Sequence, residues 1–288
     1  MVKISFIIVT YNSHLLITDC LYSIYTNADL PEDKFEIIIV DNSNSEGHQN
    51  LINTLAEFQK NNLHIIHNPA NNGYGAGNNI GVKHSKGKLI AIMNPDVRIL
   101  TTIMQKTIVF FQNHQQTGVL SYKQLGGNNL TFYSRPEHKI PLFDGINTKF
   151  RNRNNKFHNT KDFLSGAFFF ADKNKFLEIG LFDEKIFMYN EESDIAKRFL
   201  AKDYSLHLDP SEQYLHLIEE RPFSEKAFKE ELLSLKYYIQ KYNLNENTIV
   251  KKYQNEFKIK KIIAKILNRE TDKIRFEKMI SLIKLVFK

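Results

Sequence analysis

The stretch Lys88-Leu89-Ile90-Ala91-Ile92-Met93-Asn94-Pro95-Asp96 decides how this chain folds. Its apolar run, residues 89–93, is typical of a strand buried on both faces of a sheet. The strand must end at Asn94-Pro95, because proline cannot continue a central strand. Asp96 therefore follows the carboxyl end of a strand, the edge where open α/β sheets bind ligands. The triplet predicts either a turn that caps the next helix or an oxygen ligand for a cation carrying a diphosphate.

Apolar runs alternate with helical segments through the first half of the chain. Strands are predicted at 4–10, 35–40 and 63–66, with helices after Ser13 and around 51–58. Nearly unbroken Ile and Val in these strands favours a parallel α/β sheet. The first two strands also end in polar residues, Thr10-Tyr11-Asn12 and Asp41-Asn42-Ser43.

The composition is that of a soluble globular protein, with 42% hydrophobic and 25% charged residues in 288. No run approaches the ~18 apolar residues that a membrane-spanning helix needs, and the first residues are too short and strand-like for a signal peptide. A single cysteine, Cys20, excludes an internal disulfide and suits the cytosol. We therefore expect a cytoplasmic protein.

Positive charge is concentrated at the end of the chain. Residues 251–288 hold 12 Lys and Arg against 4 Asp and Glu, so this segment carries +8 of the total +7 and the remainder carries −1. A neutral body argues against nucleic-acid binding. Amphipathic helices predicted at 256–267 and 273–287 are either solvated packing helices or a basic surface for an anionic membrane on the inner face of the plasma membrane.

A glycine-rich stretch, Asn71 to Gly81, precedes the deciding strand. Gly73, Gly75 and Gly77 would let the backbone approach a ligand closely as the chain turns into a helix. A dinucleotide-binding fingerprint needs its third glycine where Asn78 stands, so a dehydrogenase is disfavoured.

The second half of the chain holds an acidic motif. A helix over 100–113 and a strand near 119–122 lead into polar residues 123–160, which we interpret as a mobile surface loop or as a flap over an acceptor site. A buried strand at 163–171 contains Gly166, a position for a bulge or for close approach of substrate.

Residues Asn190-Glu191-Glu192-Ser193-Asp194 place acids in the first turn of a helix that Asn190 is predicted to cap. Strand-like runs follow at 204–208 and 213–218. The second run contains His216, whose alternatives are a structural role and a ligand role. A helical stripe from Phe223 starts the last part of the chain, with Ser224 as its predicted cap.

In this order the pieces resemble the family 2 glycosyltransferases of the GT-A fold, and most of all a bacterial rhamnosyltransferase-like branch. The resemblance covers about residues 4–218. The segments that carry it are Ile8 to Asn12, Ile39 to Ser43, Asn72 to Gly81, Asn94-Pro95-Asp96, Ser165-Gly166-Ala167, Asn190 to Asp194, and His216.

The resemblance implies a site for a nucleotide-sugar donor and a magnesium or manganese ion. Asp96 matches the last carboxylate of the family's Asp-x-Asp metal motif, Asn94 stands at its first position, and His216 matches a histidine that completes the metal shell in some relatives. The remaining donor-binding residues implied are Thr10, Tyr11, Asn12, Asp41, Asn72, Gly73, Tyr74, Gly77 and Asn78.

The acidic motif then supplies the catalytic base, in the order of preference Glu192, Asp194, Glu191. The implied activity is inverting transfer of a sugar, from dTDP-rhamnose or a UDP-sugar, to a glycan or lipid-linked acceptor in bacterial surface polysaccharide synthesis, with no nucleic-acid partner. We expect a GT-A domain at 1–222 and a helical extension at 223–288. The alternatives are a non-catalytic sugar-nucleotide or glycan-binding relative and a nucleotidyltransferase, although the start of the chain lacks a Gly-rich phosphate loop.

Overall fold

A computed structural model of the chain describes residues 1–126, 130–140, 144–217 and 223–288. Its strands are Ile4–Thr10 (β1), Phe35–Asp41 (β2), Leu63–His67 (β3), Leu89–Met93 (β4), Val97–Ile99 (β5), Thr117–Leu125 (β6), Phe132–Ser134 (β7), Asp162–Leu164 (β8), Phe168–Asp172 (β9) and Ser205–His216 (β10). Within the described residues, eight strands form one sheet in the order β3-β2-β1-β4-β9-β6-β10-β5, and β7 pairs with β8 separately.

Helices cover both faces of this sheet. They are His14–Thr26 (α1), Ser45–Thr54 (α2), Tyr74–His84 (α3), Met104–Asn113 (α4), Asp144–Arg153 (α5), Lys173–Glu178 (α6), Glu191–Leu200 (α7), Glu225–Lys241 (α8), Glu246–Ile266 (α9) and Glu270–Val286 (α10). Helices α1, α2 and α4 close one core, and α3, α6 and α7 close the other. The predicted α/β architecture, with helices at the end of the chain, is confirmed.

Strands β1 and β4 have the bounds that the sequence predicts, and both are buried. They pair in parallel, as β1 does with β2 and β2 with β3. Strand β9 then enters antiparallel between β4 and β6. The carboxyl ends of β1, β2 and β4 consequently meet at one edge, where the polar residues of the sequence motifs are gathered.

The chain after Asp96 forms a strand rather than entering a helix. β5 begins at Val97 and pairs antiparallel with β10, and α4 begins only at Met104. The interpretation of the triplet as a turn that caps the next helix is therefore wrong. The turn instead reverses the chain at the sheet edge, which brings β10 beside it.

Two predicted strands have different limits in the structure. The runs at 204–208 and 213–218 belong to one strand, β10, with an irregularity between Asp209 and Gln213; residue 218 lies outside the described residues. The predicted strand 163–171 divides into β8 and β9, and the break falls at Ser165-Gly166-Ala167.

The segment 123–160 is not the unstructured loop that its polarity predicts. Its described part continues β6 to Leu125 and forms β7 and α5. Phe132 of β7 is buried, and the Asn152 side chain of α5 accepts from its N–H and donates to its C=O at 3.2 and 3.0 Å. A single asparagine thus satisfies both backbone groups of Phe132. Residues 127–129 and 141–143 of the segment lie outside the described ranges.

Helices α8, α9 and α10 pack around their own apolar cluster, which includes Phe228, Leu232 and Ile283. Ser224 caps α8, as predicted, by accepting from the Ala227 N–H at 3.3 Å. The two tail helices are present, and each begins earlier than its pattern predicts. None of the described helices combines the length and apolar character needed to cross a bilayer. The division of the chain at residue 222 stays a prediction.

Candidate active site

Asp96 and His216 meet although 119 residues separate them in the sequence. The β5–β10 register places His216 opposite Val97, and the Leu217 N–H donates to the Asp96 C=O at 2.9 Å. These backbone contacts bring His216 Nε2 to 3.2 Å from Asp96 Oδ1. The strand that follows Asp96 is therefore what assembles the pair.

This pair has the properties of a partial cation site. Asp96 Oδ1 is buried and makes no hydrogen bond with any described residue, despite its closeness to His216. A carboxylate oxygen and an imidazole nitrogen suit a divalent cation such as Mn²⁺. The described residues contain no cluster of three or more His, Cys, Asp or Glu side chains that could hold a metal. A bound diphosphate would have to supply further ligands, which is how Mg²⁺ commonly binds.

Arg98 fixes the turn that carries Asp96, and sequence reasoning missed it. The guanidinium is nearly buried and donates to the carbonyls of Pro95, Val97 and Leu16 at 2.9, 2.9 and 3.0 Å. It also lies 3.6 Å from Asp19 of α1. The sequence signal that could have identified Arg98 is a charged residue in a short buried strand. A buried arginine must find acceptors for its N–H groups inside the protein.

Asn94 contributes backbone contacts to the same edge. Its N–H donates to the Ala167 C=O at 2.8 Å, and its C=O accepts from the buried Cys20 thiol at 3.7 Å. Burial raises the pKa of Cys20 to about 12, so this thiol is a core group rather than a nucleophile. The contact with Ala167 joins the turn that carries Asp96 to the break between β8 and β9.

Glu192 lies at that break. Its Oε1 accepts from the Gly166 N–H at 3.1 Å, and the Gly166 C=O accepts from the Tyr74 hydroxyl at 2.8 Å. A Cβ at residue 166 would come within 2.4 Å of Glu192 Oε1. Gly166 lies between two strands rather than at a bulge inside one, and the lack of a side chain lets Glu192 approach its backbone; close approach of substrate there stays a prediction.

Burial raises the pKa of two carboxyl groups at this site. It raises the pKa of Glu192, and it raises the pKa of Glu191 well above the ordinary value, with a further contribution from the Glu192 charge. The pKa of Tyr74 is raised well above its usual range by burial and then by the charges of Glu192, Glu191 and Asp96. Tyr74 therefore lies near both the acidic motif and Asp96.

Asp194 has a different environment from its two neighbours. It is fully buried, and its carboxylate accepts from Arg198 Nε at 2.8 Å, Lys241 Nζ at 2.5 Å and the Tyr242 hydroxyl at 2.7 Å. A carboxylate that is fully buried and already bound to two cations and a phenol is not open to an acceptor hydroxyl. The structure thus favours a structural role for Asp194, linking α7 to α8, over its predicted second place among the bases.

The prediction that the Asn190 side chain caps α7 is wrong. Asn190 precedes the helix, but its side chain makes no capping hydrogen bond, and its φ of 66° is left-handed. Tyr189 also has positive φ, 69°. Two successive residues in this sparsely populated region are unusual outside glycine. They turn the chain sharply just before Glu191 and Glu192.

The ends of β1 and β2 are tied to each other. Asp41 Oδ1 accepts from the hydroxyls of Thr10 and Ser43 at 2.9 and 2.7 Å, and Oδ2 lies 2.9 Å from His48 Nδ1. Asp41 is almost fully buried in this network. Tyr11 stands at the same edge with 59% of its surface exposed.

The glycines of residues 73–81 mainly serve packing against protein. A Cβ on Gly73, whose φ is 99°, would lie 2.2 Å from the Phe187 C=O, and one on Gly77 would lie 3.0 Å from Val9. These contacts bring α3 close to the sheet and to the loop at Phe187, and the approach of either glycine to a ligand stays a prediction. Asn78 is buried and donates to the Tyr74 C=O at 3.0 Å, while Asn72 is exposed.

The structure brings the two halves of the predicted site to one sheet edge. Asp96 and His216 lie beside the Asn94–Ala167 contact, and Glu192 binds Gly166, the neighbour of Ala167. Residues 5–180 match the description of glycosyl transferase family 2, which is 61% of the chain. The chain belongs to this family. The rhamnosyltransferase-like branch stays a prediction.

The relatives with curated functions are sugar transferases. The low-salt glycan biosynthesis hexosyltransferase of Haloferax volcanii is 26% identical over 203 residues, which are 67% of this chain and 62% of that protein. The poly(ribitol-phosphate) β-N-acetylglucosaminyltransferase TarS of Staphylococcus aureus is 28% identical over 129 residues, 44% of this chain and 22% of that protein. The family 2 chain therefore spans less than two thirds of these relatives.

Solved structures share the GT-A fold. A mannosyltransferase of Pyrobaculum calidifontis in complex with GDP-Man and Mn²⁺ superposes with a TM-score of 0.61 at 18% identity, over 83% of this chain and 64% of that one. Residues 1–349 of S. aureus TarS with UDP-GlcNAc superpose with a TM-score of 0.57 at 19% identity, over 89% and 71%. These likenesses confirm the predicted fold class.

Proposed function

We propose that this family 2 chain transfers a sugar from a nucleoside-diphosphate sugar, dTDP-rhamnose or a UDP-sugar, to a hydroxyl of a glycan or lipid-linked acceptor. The transfer inverts the anomeric carbon and contributes to surface polysaccharide, such as capsule or lipopolysaccharide, on the cytoplasmic side of the membrane. One observation carries the proposal: the Asn94 backbone, two residues before the Asp96–His216 pair, binds Ala167, and Glu192 binds the neighbouring Gly166.

Glu192 is the base in this mechanism. It accepts the acceptor's hydroxyl proton while that oxygen bonds to the anomeric carbon and the bond from this carbon to the diphosphate oxygen breaks. The hydrogen bond from Gly166 holds Oε1 in place, and burial raises the pKa of the carboxyl, which makes its ionised form a better proton acceptor. Base catalysis of this kind contributes roughly 10²–10⁴-fold to rate.

Asp96 and His216 are the residues that would hold Mg²⁺ or Mn²⁺, with the diphosphate completing the ligand set. When bound, such a cation offsets negative charge on the departing diphosphate as a Lewis acid. Arg98 keeps Asp96 in position through the three carbonyls it binds. Asn94 acts here through its backbone, which fits the loss of one charged ligand relative to an Asp-x-Asp motif.

The nucleoside would lie over the ends of β1 and β2. Tyr11, Asn12 and Asn72 are exposed and can contact a base or sugar. The Asp41 carboxylate already accepts hydrogen bonds from Thr10 and from the loop that follows β2. We assign Asp41, Thr10, Gly73, Gly77 and Asn78 the task of shaping this surface. Tyr74 lines the donor side of the cleft through its hydroxyl contact with Gly166.

Replacing Glu192 with Gln tests the proposal against a non-catalytic nucleotide- or glycan-binding relative. The amide oxygen of Gln can still accept from Gly166, so the fold and nucleotide binding should persist while turnover falls about 10²- to 10⁴-fold. Glu191→Gln is the matched control from the same helical turn and should retain activity. Nucleoside diphosphate release and nucleotide affinity are the two measurements.

Equal turnover in wild type and Glu192→Gln would refute Glu192 as the base, and retained binding without any turnover in wild type would favour the binding relative. The donor is found by thermal shift with dTDP, UDP and GDP, each with and without Mn²⁺. A nucleotide at a hundredfold excess over its Kd should add about 2.7 kcal/mol to the free energy of unfolding. If none of the three shifts the melting temperature, the donor assignment is wrong.

A further inference from the structure

The turn between α9 and α10 carries a patch of apolar side chains open to solvent. Ile262, Ile263, Ile266 and Leu267 are 49–72% exposed. Single exposed apolar residues are ordinary on proteins, but four within six positions form a patch that implies a partner. We call these four residues the hairpin tip.

Basic side chains surround the hairpin tip. Lys258, Lys265 and Arg269 are exposed, and none of them forms an ion pair with another described residue. By contrast, Lys261 is paired with Glu277 of α10 at 3.0 Å. That pair joins α9 to α10, which also pack together through an apolar cluster. The three unpaired cations are thus available to an anionic partner.

We propose that the hairpin tip inserts into the surface of a membrane that contains acidic phospholipids. Apolar side chains at the end of a helix, bordered by lysine and arginine, match the boundary between acyl chains and anionic headgroups. A second copy of the chain is a poorer occupant, because residues 251–288 carry a net charge of +8 and two copies of this segment would repel each other. The inference stands apart from the transferase proposal, since it needs neither nucleotide nor turnover.

Flotation of the full chain with lipid vesicles tests this directly, without donor or metal. One vesicle contains phosphatidylglycerol and phosphatidylcholine at 1:3, and the other contains phosphatidylcholine alone. We expect binding to the anionic vesicles that weakens as NaCl is raised, because the Debye length shortens. Binding to the neutral vesicles should be at least tenfold weaker.

Two pairs of substitutions separate the apolar and the charged contributions. Ile262→Ser with Ile266→Ser should abolish flotation, and Lys265→Gln with Arg269→Gln should weaken it about 25-fold, since each basic residue near the surface contributes about fivefold. The matched charge control is Lys251→Gln with Lys284→Gln at the opposite end of the hairpin. The matched apolar control is Leu100→Ser with Val109→Ser, which are also exposed.

Three results would overturn the inference. These are no flotation of the wild type with anionic vesicles, equal losses in the control pairs and the tip pairs, and concentration-dependent self-association that the Ile262→Ser/Ile266→Ser variant removes. The last would assign the tip to contact between copies. Circular dichroism of every variant excludes unfolding as the cause. Donor turnover measured in parallel separates a failure here from a failure of the transferase proposal.

Discussion

Glu191 is buried with one carboxylate oxygen unpaired among the described residues. It is 5% exposed, and its Oε2 has no hydrogen-bond partner. Burial and the neighbouring Glu192 and Asp194 charges together raise the pKa of this carboxyl well above its ordinary value. Ionising Glu191 is therefore costly in the folded state, while in the unfolded chain it ionises normally.

Glu191→Gln should raise stability at neutral pH for this reason. A group with a raised folded-state pKa binds more protons folded than unfolded, so its contribution is fully present below the unfolded pKa and is lost as pH rises through the folded pKa. We expect the wild type to lose melting temperature between about pH 4.5 and neutrality and the variant to lose less. Thermal melts across this range measure the difference; identical pH profiles would contradict the burial argument.

Arg98 is the second residue with a testable role. Arg98→Lys keeps the charge but cannot reproduce a fork that binds three carbonyls, so it should cost about 1–3 kcal/mol of stability and weaken Mn²⁺-dependent nucleotide binding. Lys88→Arg, at an exposed position, is the control. Chemical denaturation and a Mn²⁺ titration in the presence of nucleotide give the two readings. An unchanged Mn²⁺ affinity would limit Arg98 to folding.

Among the secondary-structure elements, α7 and α8 are joined by a buried charge cluster. Asp194 of α7 binds Lys241 of α8 and Tyr242, and Lys241 also contacts Asp183 at 2.7 Å. This cluster connects the helix that carries Glu192 to the C-terminal helices. The acidic motif and the helix that supports it both lie beyond residues 5–180, which match the family.

Lys241→Met should loosen that support. Removing one partner of the buried Asp194 is expected to cost about 1.5–3 kcal/mol, the range for hydrogen bonds to charged groups, and to lower turnover through the position of α7. Lys226→Met, an exposed lysine of the same helix, is the control. Denaturation midpoints and turnover are compared. Loss of stability with full turnover would show that α8 stabilises α7 without positioning Glu192.

Elements with strong local signals could be predicted from the sequence. Strands β1 and β4 are continuous apolar runs with clear ends, and their bounds are confirmed. Strand β5 has three residues, too few for a periodic pattern, and β10 carries Asp209 and Pro210 in its interior, which suggested a break. The polar segment with β7 and α5 is ordered by contacts such as Asn152 with Phe132, which no local pattern reveals.

In the candidate site, too, local sequence predicts some features, while others depend on tertiary contacts. Asp96 could be located at a strand end from its neighbours alone, because Asn94-Pro95 must stop the strand. Its meeting with His216 depends on the β5–β10 register, and the family resemblance was the only available indication of it. The internal pairing of Asp194 with Arg198 and Lys241 arises from tertiary packing, so the order among the three acids could not be settled from spacing.

For the molecule as a whole, the C-terminal helices and the sheet edge define two separate surfaces. Residues 5–180 match the family, while the hairpin tip lies in the basic segment beyond them. If both proposals hold, the tip fixes the chain on a lipid surface where a lipid-linked acceptor resides. The proposed sugar transfer then depends on one feature of the whole fold: the Asp96–His216 pair and Glu192 must face the same bound donor.

Anomalous diffraction from crystals grown with Mn²⁺ and the nucleoside diphosphate found by thermal shift measures this directly. We predict one manganese peak within bonding distance of Asp96 Oδ1 and His216 Nε2, with the diphosphate on the peak and Glu192 facing the position that the sugar would occupy. A manganese peak elsewhere, or a diphosphate bound on the far side of the sheet from Glu192, would contradict the transferase mechanism.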